Sequence, residues 1–331
     1  MLTIQCKNVY KRICLLVVYL FICISNSHAE QNTDQAIKIA VISDLNGSYG
    51  SIDYNKQIPE IIANLVNINP DLVISTGDMI AGQRIRPLLQ RPQLEAMWTS
   101  FHNNVSNVLS EAGLPFAITA GNHDGSLSNK FGLERQIYQE QWLTRAPDVD
   151  FIDRSYYPFY YAFEIKNILF ISLDATVVGH LSIKQFSWLE ELLKQSQNKY
   201  RHQIVFSHLP IWPFAQGRER EIIGDPMLEA LLQQHNVTVY LSGHHHAFYP
   251  GYKDGIMYVS QACLGSGLRK YIGSYQRSRR GYTMVEIDEN NKIQIAGYDA
   301  SNLNKPIDIK QLPKKIKSKY ATLIRTDLIS D

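Results

Sequence analysis

The sequence predicts an α/β fold built in layers, with mixed sheets. Three observations predict it. Short apolar runs alternate with helix-spaced patterns along most of the chain, further strand-like runs close it, and no Pro/Gly/Ser-rich linker divides the 331 residues. With 45% hydrophobic and 19% charged residues the composition is that of an ordinary globular protein, not a disordered or fibrous one. We expect residues 1–29 to be a signal peptide, 30–310 one domain, and 311–331 a basic, solvated tail.

The first segment stands apart. Lys7, Lys11 and Arg12 precede an apolar run from Ile13 to Ile24, and the small residues Ser27 and Ala29 follow. That order matches a secretory signal peptide. A run of this length spans about 18 Å as a helix, against roughly 30 Å of bilayer hydrocarbon, so an uncleaved anchor is the weaker reading. Ile22 before Cys23 disfavours a lipoprotein signal. Cleavage would leave 30 Lys+Arg against 31 Asp+Glu, a net charge of −1 instead of +2. A general nucleic-acid-binding charge is then absent, and no stable membrane span remains. Cys6, Cys14 and Cys23 would also go, leaving Cys263 without an internal partner, so the core must hold the fold. The expected location is the periplasm or the outside of the cell.

Ile37–Ser43 reads as a buried strand ending at Asp44. Residues from Ile58 to Val66 carry helix-spaced apolar side chains. Leu72–Ser75 is a strand ending at Gly77-Asp78. Gln93 to Leu109 reads as a helix with Met97, Phe101, Val105 and Val108 on one face. Phe116–Thr119 is a strand ending at Gly121-Asn122-His123-Asp124. Residues 125–160 show weak periodicity and several aromatics, and read as a lid or substrate loop. Tyr160–Ile165 and Ile168–Leu173 form a hairpin through Lys166-Asn167, and Ser182 caps a helix carrying Phe186, Leu189 and Leu193. Ile204–Ser207 ends at His208, Pro226–His235 is helical, and Val237–Ser242 ends at Gly243-His244. Met257–Ser260, Tyr282–Ile287 and Ile293–Tyr298 are closing strands.

Five times an apolar strand ends and a metal-competent side chain follows: Asp44, Asp78, Asn122 with His123, His208, and His244 with His246. Each alone is better explained as a cap, a turn residue or a satisfied histidine. Together they count for more, because α/β sheets gather ligands outside the carboxyl ends of their strands.

The series Asp44-Leu45-Asn46, Gly77-Asp78, Gly121-Asn122-His123-Asp124, His208 and Gly243-His244-His245-His246 resembles the calcineurin-like metallophosphoesterase superfamily. Gln185-x-x-Trp188-Leu189 and His208-x-Pro210-x-x-Pro213 resemble its purple acid phosphatase and cyclic-nucleotide phosphodiesterase side. The resemblance implies a four-layer α-β-β-α sandwich, two mixed sheets flanked by helices. It implies two metal ions, Mn, Fe or Zn, and hydrolysis of a phosphomonoester or phosphodiester by a metal-bridging hydroxide. Asp78 would bridge the metals. Asp44, His246 and the residue at position 46 would complete the first site; Asn122, His208 and His244 would complete the second. His123, oriented by Asp124, would protonate the leaving oxygen or stabilise the transition state. The physics agrees. Two metals about 3.5–4 Å apart hold both ends of an in-line displacement and bring the pKa of water from about 15.7 toward neutrality. Two divalent ions set against Asp44 and Asp78 leave a charge of about +2 for an anionic substrate. His245 is expected to point away from the metals.

Substrate-gripping candidates are Arg84 and Arg269 first, then Arg86, Arg91, Lys270 and Arg280, because arginine grips phosphate oxygens bidentately. Surface arginines and salt bridges are an equal alternative for each. The substrate is expected to be a small phosphoester. Nothing in the sequence chooses between a monoesterase and a diesterase, and a degenerate, non-catalytic metal- or ligand-binding protein stays as the alternative.

One position departs from the superfamily. Asn46 stands where Asp-x-His has its histidine, and Ala81 stands where purple acid phosphatases supply a tyrosine. Three readings are open: Asn46 ligates through its amide oxygen, a water takes the place, or the first metal is lost. The first is favoured, since every other ligand type is present. An amide oxygen makes the site harder, so metal analysis of protein grown without zinc excess is expected to find Mn or Fe there. A stoichiometric two-zinc centre with no gain from manganese would contradict this.

Overall fold

Apolar side chains on both faces of the predicted strands reflect burial on both faces. Each of β1 (Ile37–Ile42), β2 (Leu72–Ser75) and β3 (Phe116–Ile118) lies in the interior with helices on one side and the second sheet on the other. The computed structural model describes residues 35–265 and 267–329. The expected signal peptide lies outside them, and no described helix is long and apolar enough to cross a membrane.

Helix α1 (Gln57–Ile68) joins β1 to β2. Helix α2 (Arg91–Phe101) runs through a π turn at His102–Ser106 into Asn107–Glu111 and leads to β3. One helical turn at Asn122–Gly125 and α3 (Gly132–Leu143) follow. The chain then forms β4 (Asp150–Tyr156), β5 (Tyr160–Ile165), β6 (Ile168–Ser172), α4 (Ile183–Gln195), β7 (His202–Ser207), α5 (Pro226–Gln234) and β8 (Val239–Ser242). It ends with β9 (Tyr249–Lys253), β10 (Ile256–Ser260), β11 (Gly281–Ile287), β12 (Ile293–Asp299), β13 (Asn302–Pro306), β14 (Lys315–Lys317) and β15 (Thr322–Arg325).

Two mixed sheets result. One has the order β13-β12-β11-β1-β2-β3, the other β14-β15-β9-β10-β8-β7-β6-β5-β4. Strands β1, β2 and β3 are mutually parallel, as are β6, β7, β8 and β10, so two sets of carboxyl ends carry candidate residues. The sheets meet where the Tyr161 hydroxyl of β5 donates to the Ile118 carbonyl of β3 at 2.7 Å and accepts from its amide at 2.9 Å. Asn64 of α1 reaches Tyr282 of β11, and Phe101 of α2 packs on Phe116 of β3. On the second sheet Trp188 of α4 meets Tyr160, and Glu229 of α5 accepts from Tyr258 of β10. The architecture is therefore the expected two mixed sheets with flanking helices.

Local chemistry explains several elements. Lys166 and Asn167 both take positive φ, the conformation of a tight two-residue hairpin turn between β5 and β6. Ser182 accepts from the Gln185 amide at the start of α4, as expected. Gln185 in turn clasps Asp174, its amide accepting from the Asp174 N–H and donating to its carbonyl.

Two expectations are corrected. Residues 125–160 are not a lid: α3 and β4 occupy them, and Tyr138 and Trp142 are buried against Trp98. Of the aromatics that suggested a substrate surface, Trp142, Tyr157 and Tyr160 are core and Phe151 and Phe159 pack half-buried against it, and the short amphipathic pattern hid a helix. Residues 311–329 are not a solvated tail. Strands β14 and β15 pair, and β15 joins β9, with Ile316 and Leu323 buried between exposed lysines. The lysines masked a period-two pattern.

His102 sits in this aromatic layer, stacked on Trp98 with Trp142 at its edge. Burial, helped by the nearby Arg145 guanidinium, pulls its pKa from 6.5 down to about 4. The unfolded chain takes up that proton first, so stability falls as pH drops from about 6.5 to about 4 and is constant above that window as far as this residue is concerned. Thermal unfolding followed across the window is expected to show a shallower pH dependence in His102→Gln than in the native protein.

Candidate metal centre

The candidate residues leave their strands through unusual backbone. Asp44, Asp78, His244 and His246 all take positive φ, between 51° and 63°, which is sparsely populated for residues with a Cβ. The turns are held in place by backbone bonds across the strand ends. Asp44 N donates to Gly77 O, Leu45 N and Asn46 N both donate to Asp78 O, and Gly243 N donates to His208 O. Glycine is required at two of the approaches. A Cβ on Gly121 would collide with the Asp78 amide and carboxylate, and one on Gly243 with Ser43 Oγ and Asp44 Oδ2.

These turns gather donor atoms into two triads that share one carboxylate. Asp44, Asp78 and His246 form one; Asp78, His208 and His244 form the other, with the atoms of each within 4.8 Å of one another. In the second triad His208 Nε2 lies 2.8 Å from Asn122 Oδ1, 3.2 Å from His244 Nδ1 and 3.4 Å from Asp78 Oδ1. In the first, His246 Nε2 lies 3.0 Å from Asp44 Oδ1. Oxygen and imidazole donors so close, all buried, suit a pair of cations such as Mn, Fe or Zn.

Each imidazole has its other nitrogen occupied, which aims the remaining one inward. His208 Nδ1 donates to Thr76 O at 2.9 Å and His246 Nδ1 to Gly267 O at 3.0 Å. His244 Nε2 donates to Glu221 Oε2 at 2.9 Å. Asn122 has its amide fixed likewise: Nδ2 donates to Gln83 Oε1 at 2.9 Å, which turns Oδ1 toward the triad. Gln83 is itself pinned by both oxygens of the buried Glu134, which accept from its N–H. Glu221, Gln83 and Glu134 escaped the sequence reading. They precede or follow no motif, and only the fold brings them to it.

The electrostatics match a place built for positive charge. Burial raises the cost of the Asp44 and Asp78 carboxylates, yet the imidazoles His246 and His208 beside them hold both below the usual range. Burial likewise opposes charge on His208 and His246, and the same carboxylates overcome it, lifting His208 to about 9. Burial lowers His244 to about 4.

His123 also faces the centre. Its Nδ1 donates to Gly82 O at 2.9 Å, and its Nε2 lies 3.9 Å from Asp78 Oδ2. The expected partner, Asp124, does not orient it. Asp124 is buried and accepts from the Ile80 and Gly121 amides, tying the helical turn to the strand ends. Burial, then the neighbouring Asp78, pushes its carboxyl up to about 7. His245 points away, as expected. It is fully buried, accepting at Nδ1 from Phe214 N and donating at Nε2 to Glu221 O, which fixes the loop that carries Glu221. Asn46 is buried at the same strand end, 7% exposed.

The basic candidates divide. Arg269 is half-buried near Arg218 and Glu221, and burial followed by Arg218 lowers its pKa. Its Nε is buried without a hydrogen-bond partner. Arg218, not foreseen, pairs with Glu221. Arg84 donates to Pro87 O and Gln93 Oε1 beside Gly50. Arg91 is a correction: it forms surface ion pairs with Glu140 and Glu95 on the helices. Arg280 donates from Nε to Gly265 O and braces that turn. Arg86 is exposed, and Lys270 packs over the Tyr275 ring.

A two-sheet sandwich with a shared carboxylate between two nitrogen- and oxygen-rich triads defines the class of dinuclear metallophosphatase folds. The calcineurin-like phosphoesterase family model matches residues 37–248, and the chain belongs to that family. A probable cyclic nucleotide phosphodiesterase of Psychrobacter arcticus is 21% identical over 68% of this chain and 76% of its own length. Tartrate-resistant acid phosphatase type 5 of Sus scrofa is 23% identical over 78% of this chain and 81% of its own. The purple acid phosphatase PPD1 of yellow lupin superposes with a TM-score of 0.62 at 14% identity, covering 84% of this chain. The chain spans about half the length of that lupin protein, 53%.

Calorimetric titration with Mn²⁺, paired with elemental analysis, is expected to show two bound equivalents. Asp78→Asn is expected to weaken both, whereas Glu221→Gln weakens only one, by about 10–100-fold. Equal weakening of both equivalents by Glu221→Gln would contradict the split into two triads.

Proposed function

We propose that the protein is an exported dinuclear-metal phosphoesterase that hydrolyses a small phosphomonoester or phosphodiester. The observation that carries this reading is the Asp78 carboxylate, common to both triads, with His123 Nε2 turned toward it. The family's phosphoesterase description supports it, as do the phosphodiesterase and acid phosphatase names of its relatives. Export rests on the charged, apolar and small-residue order of residues 1–29.

In this reading Asp44, Asp78 and His246, with Asn46 beside them, hold one cation; Asp78, Asn122, His208 and His244 hold the other. Bound cations supply Lewis acidity, making water more acidic and offsetting charge on the phosphate oxygens. The protein's own groups do the rest. Arg269 and Arg218, on the His244 side, offer guanidinium N–H groups to the phosphate oxygens. His123, held at Nδ1 by Gly82, passes a proton from Nε2 to the departing ester oxygen. Buried turns fixed by Asp124 and Glu134 keep these groups in place, so little reorganisation is needed as charge develops.

The alternative, a non-catalytic metal or ligand binder, draws on Asn46 and Ala81 standing where relatives carry stronger ligands. Manganese-loaded protein assayed with p-nitrophenyl phosphate and bis-p-nitrophenyl phosphate decides between the readings, and the ratio of the two rates separates monoesterase from diesterase. His123→Ala is expected to lower turnover by about 10²–10⁴-fold with metal content unchanged. Loss of metal in that variant would contradict the role given to His123. Two bound metals with neither substrate hydrolysed would establish the binder.

A further inference from the structure

We infer that the leaving group of the substrate carries a planar ring, seated on Tyr49. This rests on the phosphoester reading above and deepens it by naming the substrate class. Tyr49 is 61% exposed, and its ring lies 5.2 Å, centroid to centroid, from that of His123, tilted by 32°. The group that hands a proton to the departing oxygen must stand beside whatever is attached to that oxygen. The surface available next to His123 is therefore the surface the leaving group meets, and there it is aromatic.

Tyr49 is not a loose surface side chain. Its loop is fastened to the same strand ends as the donor atoms: Leu45 N and Asn46 N donate to Asp78 O, and Gly50 N donates to Ala81 O at 2.6 Å. Ser51 N closes the turn on Ser48 O at 2.9 Å. A loop fixed in this way presents its ring with little backbone entropy left to lose on binding. The adjoining loop adds apolar surface at Ile85 and Leu88, 54% and 45% exposed, and meets the first where Gly50 abuts Leu89.

The two flanks of the centre differ in kind. On the His244 side stand Glu221, Arg218 and Arg269, which suit the charged phosphate oxygens. On the His123 side stands Tyr49; Arg84, behind the neighbouring Gly50, is engaged by Pro87 O and Gln93 Oε1. A planar ring gains both area and ring–ring attraction there, whereas a glycerol or short alkyl group gains little. Aryl phosphates and nucleotides share this chemistry and differ in whether the ring joins the ester oxygen directly or through a sugar.

The test uses manganese-loaded full-length protein and phosphonates whose P–C bond resists hydrolysis, so that it reads binding without turnover. Calorimetry is expected to show benzylphosphonate binding about tenfold more tightly than propylphosphonate. Tyr49→Ala is expected to abolish that ratio and Tyr49→Phe to keep it. The phosphonate isostere of AMP, measured in parallel, separates a sugar-linked ring from a directly attached one by the size of its loss in Tyr49→Ala. Equal affinities in the native protein, or a ratio that survives Tyr49→Ala, would overturn the inference alone. If neither phosphonate binds, the phosphate-site reading falls and takes the inference with it. A ratio that Tyr49→Ala abolishes, in a protein that hydrolyses no phosphoester, would reject the phosphoesterase and with it the leaving-group assignment, leaving only a ring-binding surface at Tyr49.

Discussion

The candidate centre depends on one buried carboxylate. Asp78 follows β2 in left-handed backbone, its carbonyl accepts from Leu45 and Asn46, and its carboxylate lies between two sets of donors from four other strands. A buried anion with no counter-charge would be expelled or neutralised. Here His208 Nε2 lies 3.4 Å from Oδ1 and His123 Nε2 3.9 Å from Oδ2, and the backbone N–H of His123 donates to Oδ1. Left-handed φ at four donor residues costs on the order of 1–3 kcal/mol each, and persists only where the neighbourhood over-determines it. The cross-strand bonds at Gly77, Asp78 and His208 are that neighbourhood.

Rigidity then spreads outward in layers of decreasing obviousness. Thr76 and Gly267 carbonyls, the Glu221 carboxylate and the Gln83 amide each fix one donor by occupying its far side. His245 and Glu134 fix the loops from which Glu221 and Gln83 reach. A side chain two contacts away from the centre therefore decides which atom of Asn122 faces inward. An amide oriented the other way would present N–H groups to a cation, so this contact separates a binding site from a repelling one.

Much of this was legible in the sequence because strand ends announce themselves. An apolar run that stops at Asp, Asn or His has few purposes, and five such stops in one chain converge in an α/β sheet. The layered α/β fold with mixed sheets, the β5–β6 hairpin and the Ser182 cap followed from patterns of the same local kind, and the four-layer sandwich from the resemblance. What stayed hidden was either non-local or disguised. Glu221 and Gln83 act across 23 and 39 residues of sequence from the groups they hold, in loops without periodicity. Arg91 looked like a phosphate ligand because a guanidinium has the same fork for a glutamate. The aromatics of residues 125–160 looked like a binding surface because aromatic side chains serve cores and ligands alike; only burial separates Trp142 from Tyr49. The resemblance made Asp124 the partner of His123, whereas the helical turn sends neighbouring side chains in different directions.

The hairpin formed by β14 and β15 has a consequence for handling the chain. By lying along β9 it covers a row of amide and carbonyl groups that would otherwise be open to any passing strand. Shortening the protein at residue 310, where composition suggests dispensable sequence, would uncover that row together with the apolar seat of Leu312, Ile316 and Leu323. The harm would then show as clumping and poor yield, on top of any loss felt at Glu221, whose cleft Ser318 and Lys319 help to line.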